Sequence, residues 1–118
     1  MENKSYNEHT IRAKLLKQLR RIPGVQVFIA ETICTGFPDL LINAPTGNYL
    51  LELKVDRSTA GALCNAHYLF EKIQLVTLAN LGHAYALIFQ GAHAPALVRV
   101  TQQGNEFVIT ECARVLDA

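Results

Sequence analysis

Three charged residues interrupt two apolar runs between residues 36 and 54. Asp39 opens the first run, and Glu52 and Lys54 lie inside the second. Charges are costly to bury without a partner, so their presence in apolar segments asks for an explanation. The runs flank Ala44-Pro45-Thr46-Gly47-Asn48, a cluster of turn formers, and together they predict a β-hairpin. With Ala44 to Gly47 as the loop, Asn43 pairs with Asn48 and Asp39 falls opposite Glu52. Directly opposed residues hold their Cβ atoms roughly 4.5–5.5 Å apart. Two carboxylates that close repel unless something cationic lies between them. A hard divalent ion such as Mg²⁺, with Mn²⁺ as a substitute, suits such an oxygen site and keeps waters that a phosphate can replace. Side chains alternate along a strand, so Glu52 and Lys54 share a face with Leu50, while Tyr49, Leu51, Leu53 and Val55 face the other way into a core. Lys54 could stabilise charge developing on a phosphorus centre or lower the pKa of a metal-bound water. The plain alternative is an exposed hairpin face carrying an ordinary Glu–Lys pair, and spacing alone does not separate the two.

The elements that must position these residues follow from periodicity and breakers. A helix is predicted over Tyr6 to Arg21, ended by Pro23-Gly24. Val25 to Glu31 is a first strand, followed by the hairpin strands Asp39–Asn43 and Tyr49–Val55. Arg57 to Gly61 is a polar loop, and Ala62 to Leu81 a second helix stopped by Gly82. Ala84 to Phe89 is a continuous apolar strand. Gly91 to Pro95 is a loop. Ala96–Thr101 and Glu106–Thr110 form a second hairpin around Gln103-Gly104-Asn105, and the tail from Glu111 is predicted as a short helix. The 118 residues are half hydrophobic and read as one α/β domain spanning 1–118, large enough to bury roughly 65% of the unfolded surface.

Composition narrows the class. Met1 to Glu8 is polar rather than an apolar leader, and no run approaches the ~18 residues of a membrane span. Cys34, Cys64 and Cys112 are widely spaced and odd in number, which suits reduced thiols and a cytoplasmic setting. His67, His83 and His93 carry no ligand spacing and read as surface or structural residues. The net charge is only +1, but residues 1–25 concentrate Lys4, Arg12, Lys14, Lys17, Arg20 and Arg21 against Glu2 and Glu8. Ile11, Leu15, Leu16 and Leu19 form the apolar stripe of that helix. The basic residues, Arg12, Lys14 and Lys17 above all, are candidates to hold a phosphate backbone that two carboxylates would repel. A solvated helix face is the competing reading. Between Lys72 and Arg99 no Asp, Glu, Lys or Arg occurs. Such a stretch is either a strand covered on both faces or part of an oligomer surface.

Pro38-Asp39 followed by Glu52-Leu53-Lys54 resembles the PD-(D/E)XK nuclease superfamily. With Glu8 on the first helix, Gly36-Phe37-Pro38-Asp39-Leu40 opening the hairpin and Gln74 on a later helix, the chain is similar to the stand-alone VRR-NUC branch over roughly residues 8 to 90. That branch includes phage and bacterial junction-resolving enzymes. The resemblance implies a restriction-endonuclease-like α-β-β-β-α-β core, with a central mixed sheet flanked by helices. It also implies a Mg²⁺-dependent endonuclease that cuts branched DNA, four-way (Holliday) junctions in particular, in a bacterial cytoplasm and encoded by host or phage. Asp39 and Glu52 match the metal-binding carboxylates, with the Leu53 carbonyl as a further ligand. Lys54 matches the catalytic lysine. Glu8 matches the glutamate that orders the metal or its waters, and Gln74 the glutamine of the following helix. The stretch from Lys54 to Gln74 is longer than the family usually has, so a polar residue on an amphipathic helix competes for Gln74. A restriction- or repair-type nuclease and a non-catalytic DNA-binding module are the other functions considered. A four-way junction has near two-fold symmetry and needs two matched cuts. The expected assembly is therefore a C₂ homodimer, with an interface on the second helix or on Gly91 to Val98.

Overall fold

The computed structural model describes residues 8–30, 36–56, 63–90 and 94–114. Cys34, His93 and the predicted loops at 57–61 and 91–93 lie outside the described residues. The chain runs through helix α1 (Glu8–Leu19), strands β1 (Gln26–Ile29), β2 (Leu40–Ala44) and β3 (Gly47–Asp56), a 3-10 helix (Leu63–Leu69), helix α2 (Lys72–Asn80), and strands β4 (Ala84–Gln90), β5 (Ala96–Gln103) and β6 (Glu106–Arg114).

The hairpin has the register its turn residues dictate, with Asn43 opposite Asn48 and Ala44 opposite Gly47, so that Pro45-Thr46 forms the turn. The six strands form one sheet in chain order. Every pairing is antiparallel except β3 with β4. A parallel pair needs a crossover rather than a tight turn, and the 3-10 helix with α2 supplies it.

Period-2 alternation along β3 feeds two cores. Leu51 and Leu53 join Leu16 of α1, Val27, Leu40 and Leu87 on one face. On the other, Leu50 packs against Phe70, Leu75, Leu78, Ala84, Ala86, Ile88 and Val98, beneath α2. The Glu52 face is thus covered too, which corrects the expectation of one core on the odd-numbered side. Burial on both faces also explains the uncharged Ala84–Phe89 run as a central strand.

The predicted single helix over 62–81 is broken. Glu71 is extended (φ −75°, ψ 156°) and opens α2 through a reciprocal capping box with Gln74, a local arrangement that competes with helix continuation. The C-terminal helix predicted from Glu111 does not form over the described residues, where 111–114 continue β6. Ala113 and Arg114 pair with Leu97 and Ala96 beyond a bulge at Leu97/Val98. Gly36 sits in the left-handed region (φ +84°), where an added Cβ would lie 2.9 Å from Ile73 Cγ1. Glycine there lets the segment carrying Pro38 and Asp39 lie directly on α2.

Candidate active site

The site forms where β2 ends beside β3. Leu40 lies opposite Leu51, so the register carries Asp39 opposite Glu52 and Pro38 opposite Leu53. The Asp39 carbonyl accepts from the Ala30 N–H at 2.7 Å, which turns its backbone toward β1. The next residue toward Leu53 is Pro38, which is fully buried and has no N–H to give. The ladder therefore stops, and Asp39 Oδ2 instead accepts from the Leu53 N–H at 2.8 Å. In an antiparallel pair, a residue that bonds its neighbour offers both its N–H and its C=O to that side. The Leu53 carbonyl thus faces the same opening as the Asp39 carboxylate, with no donor from Pro38. Proline followed by aspartate is what leaves a carboxylate and a carbonyl together at a strand end.

Glu52 is buried, and its carboxylate meets two donors at one oxygen. Gln74 Nε2 donates to Oε2 at 3.1 Å, and Lys54 Nζ lies 3.4 Å from the same atom. Charge-assisted bonds of this kind offset the desolvation of a buried carboxylate. The Lys54 ammonium also lies 5.6 Å from the Phe70 ring centroid. Gln74 Oε1 accepts from the Glu71 N–H at 2.9 Å. The start of α2 thereby orients the amide, leaving its NH₂ for Glu52. The break in the predicted helix is what brings Gln74 to the site, 22 residues along the chain from Glu52.

Asp39, Glu52, Leu53, Lys54 and Gln74 therefore come together. Glu8 begins α1, and its side chain lies outside the described part of the structure. Arg12, Lys14 and Lys17 are on α1, which packs on the sheet face carrying Leu51 and Leu53, across the sheet from Glu52 and Lys54. The expectation of a basic helix directly beside the carboxylates is corrected on this point: the β3 side chains that pack toward α1 are the buried apolar ones, Leu51 and Leu53. Lys14 and Lys17 are exposed and Arg12 is half-buried, with its guanidinium 3.5 Å from His9 Nδ1. Arg20 is engaged elsewhere, its Nη2 donating to the Val27 carbonyl at 3.0 Å. His67 has a structural partner in the Phe107 carbonyl at 2.6 Å.

Two features were missed in the sequence. Phe70 had no signal beyond its apolar character. Asp56 extends the even-numbered face of Glu52 and Lys54, and the predicted strand stopped one residue short of it. It is fully buried and accepts from Gln90 Nε2 at 3.0 Å.

The donor set fits a hard divalent cation. Asp39, Glu52 and the Leu53 carbonyl offer oxygen only, and Mg²⁺ is usually held by one or two carboxylates with water completing its shell. Among the described residues no group of three His, Cys, Asp or Glu side chains is placed to hold a metal.

A mixed six-stranded sheet with a helix on each face, and with its polar cluster beside the parallel pair, is the restriction-endonuclease-type α/β fold. Among solved structures, the chain is similar to Hjc, a Holliday junction resolvase from the archaeal hyperthermophile Archaeoglobus fulgidus. The TM-score is 0.52 and the identity 15%, over 86% of this chain and 85% of that one. At that identity the likeness establishes the fold alone. No protein-family model and no curated protein sequence matches the chain.

Proposed function

We propose that the chain is a metal-dependent, structure-specific endodeoxyribonuclease of the VRR-NUC type, acting on branched DNA and on four-way junctions first. The observation that carries this reading is the strand-end cluster, in which the Asp39 carboxylate, bonded to the Leu53 N–H, lies at the strand end next to the Glu52–Lys54 pair. The fold likeness to a junction resolvase supports the substrate class. Asp39, Glu52 and Leu53 would hold Mg²⁺ or Mn²⁺; Glu8, which opens α1 on the opposite face, would have to reach the ion's waters past the strand end that carries Asp39. A bound ion of this kind supplies a more acidic water and neutralises phosphate charge. Lys54 places positive charge where the phosphate gains negative charge, a contribution greater in the transition state than in the ground state. Gln74 keeps Glu52 in place. Arg12, Lys14 and Lys17 would hold a DNA arm on the α1 side of the sheet, away from the scissile phosphate.

We further propose a homodimer, since one site cannot cut both strands at once. Ala96 and Val98 are fully buried in the core and are withdrawn as interface residues. Ile73 and Val76 of α2 are exposed and support the helix as the interface. No helix among the described residues is long and apolar enough to cross a membrane. DNA in the cytoplasm of a bacterial cell, with a host or phage gene as the source, is the setting proposed.

The test is cleavage of labelled four-way junctions, flaps, forks and linear duplexes in Mg²⁺ and in EDTA, with Asp39→Asn as control. Mg²⁺-dependent cutting of branched substrates, lost in Asp39→Asn, is expected. Preferential cutting of linear duplex would favour a restriction- or repair-type enzyme, and binding without cutting a non-catalytic module. Light scattering with and without junction DNA tests the dimer, and a persistent monomer mass would refute it.

A further inference from the structure

We propose that Phe70 is a positioning residue for the Lys54 ammonium, and that it holds this group when Glu52 is occupied by a cation. The proposal rests on the reading of Lys54 as the group that faces the scissile phosphate. Lysine carries a compact, strongly hydrated charge on a flexible four-carbon stem, so something must aim it. Two contacts do so. One is Glu52 Oε2 at 3.4 Å. The other is the Phe70 ring, 5.6 Å from Nζ to the centroid and inside the range of a cation–π attraction. The Lys54 side chain is only 17% exposed, so this attraction acts in a partly desolvated place.

The ring itself cannot drift. Phe70 is buried in the cluster with Ala66, Leu75 and Leu78, and its N–H is bonded to the His67 carbonyl at 3.0 Å. It lies in the bend between the 3-10 helix and α2, immediately before Glu71, whose N–H orients Gln74. Two consecutive residues of one bend therefore serve the two side chains that meet Glu52 Oε2, one through a ring and one through an amide.

The chemistry makes the two holds on Lys54 unequal. Glu52 is also the carboxylate a divalent cation would take, and a cation there competes for the same oxygens and repels the ammonium. A ring face has no charge for the metal to neutralise, so its attraction survives. The bland reading is that Phe70 is a core aromatic lying under the aliphatic stem of Lys54, with no hold on the ammonium.

The first measurement uses the unmodified protein. Ring current shifts the Lys54 ammonium proton resonances, read through ¹⁵Nζ, upfield if that group lies over Phe70, whereas a ring under the aliphatic stem alone leaves them unshifted. Those resonances are assigned by their loss in Lys54→Gln and then followed through a Mg²⁺ titration. The expected result is an upfield shift that persists at saturating Mg²⁺; its collapse would overturn the proposal. Phe70→Met fills similar volume without a ring. It should lose the upfield shift and slow single-turnover cleavage roughly five- to tenfold, the scale of a partly desolvated cation–π contact, with DNA affinity within about twofold. Phe70→Tyr keeps the face and should restore both readouts. A Phe70→Met protein that cuts at the unmodified rate would overturn the positioning role. Should Phe70→Met fail to fold, the titration of the unmodified protein decides alone. If the unmodified protein cuts no DNA, the nuclease reading falls, while the resonances still decide whether Phe70 holds Lys54.

Discussion

Replacing Gln74 by Glu separates the two duties of that side chain. A glutamate at the same position still offers an oxygen to the Glu71 N–H, so the start of α2 stays capped. It has no N–H for Glu52, however, and it sets a second carboxylate at a contact that is now 3.1 Å. The lost hydrogen bond to a charged acceptor is worth about 1.5–3 kcal/mol. Two charges at that separation repel by about 5 kcal/mol at an effective dielectric constant of 20. Gln74 is half-buried, so solvent and side-chain movement reduce the repulsion, and about 3 kcal/mol in total is a reasonable expectation. The sign with pH is set by proton uptake. Crowding raises the folded-state pKa of the carboxylate pair above the unfolded value. The pair is therefore tolerated in acid, where it is protonated, and destabilises the fold as pH rises and both groups are forced to ionise. Thermal unfolding in EDTA should show Gln74→Glu close to the unmodified protein near pH 4 and falling well behind by pH 8. The deficit should reach about 10 °C for a domain of this size. Equal melting temperatures at both pH values would refute the Gln74–Glu52 contact.

Three further outcomes are expected. Pro38→Ala restores an N–H opposite the Leu53 carbonyl, so it should weaken Mg²⁺ affinity several-fold by calorimetry while leaving the far-UV spectrum unchanged; unchanged affinity would remove the carbonyl from the donor set. Lys54→Ala should lower the single-turnover rate by about a hundredfold or more with little loss of DNA affinity, whereas a loss confined to affinity would make Lys54 a backbone contact only. Neutralising Arg12, Lys14 and Lys17 should each reduce the salt dependence of DNA binding by about one unit of slope, and an unchanged slope in the triple variant would return α1 to a solvated face.

What was legible in the sequence is what local geometry determines. The turn at Pro45-Thr46 and the period of two set Asn43 against Asn48. They also set Asp39 against Glu52, because a hairpin register is fixed by its turn and a strand face by alternation. The unbroken apolar run at Ala84–Phe89 offered a strand covered on both faces, because a period of two puts apolar side chains on each of them, and the structure decides for that reading over an oligomer surface. What only the tertiary structure decided is everything that depends on packing across the sheet. Whether α1 covers the Leu53 face or the Glu52 face is a matter of which side chains bury together, and both faces of β3 are apolar enough to be covered. The helical pattern over 62–81 carried no sign that it would divide at Glu71, since the capping box competes only weakly with helix continuation until Phe70 has a core to enter. Gln74 and Lys54 meet at one oxygen of Glu52 because the crossover between parallel strands folds α2 back over β4 and β5, a long-range closure that no local propensity encodes.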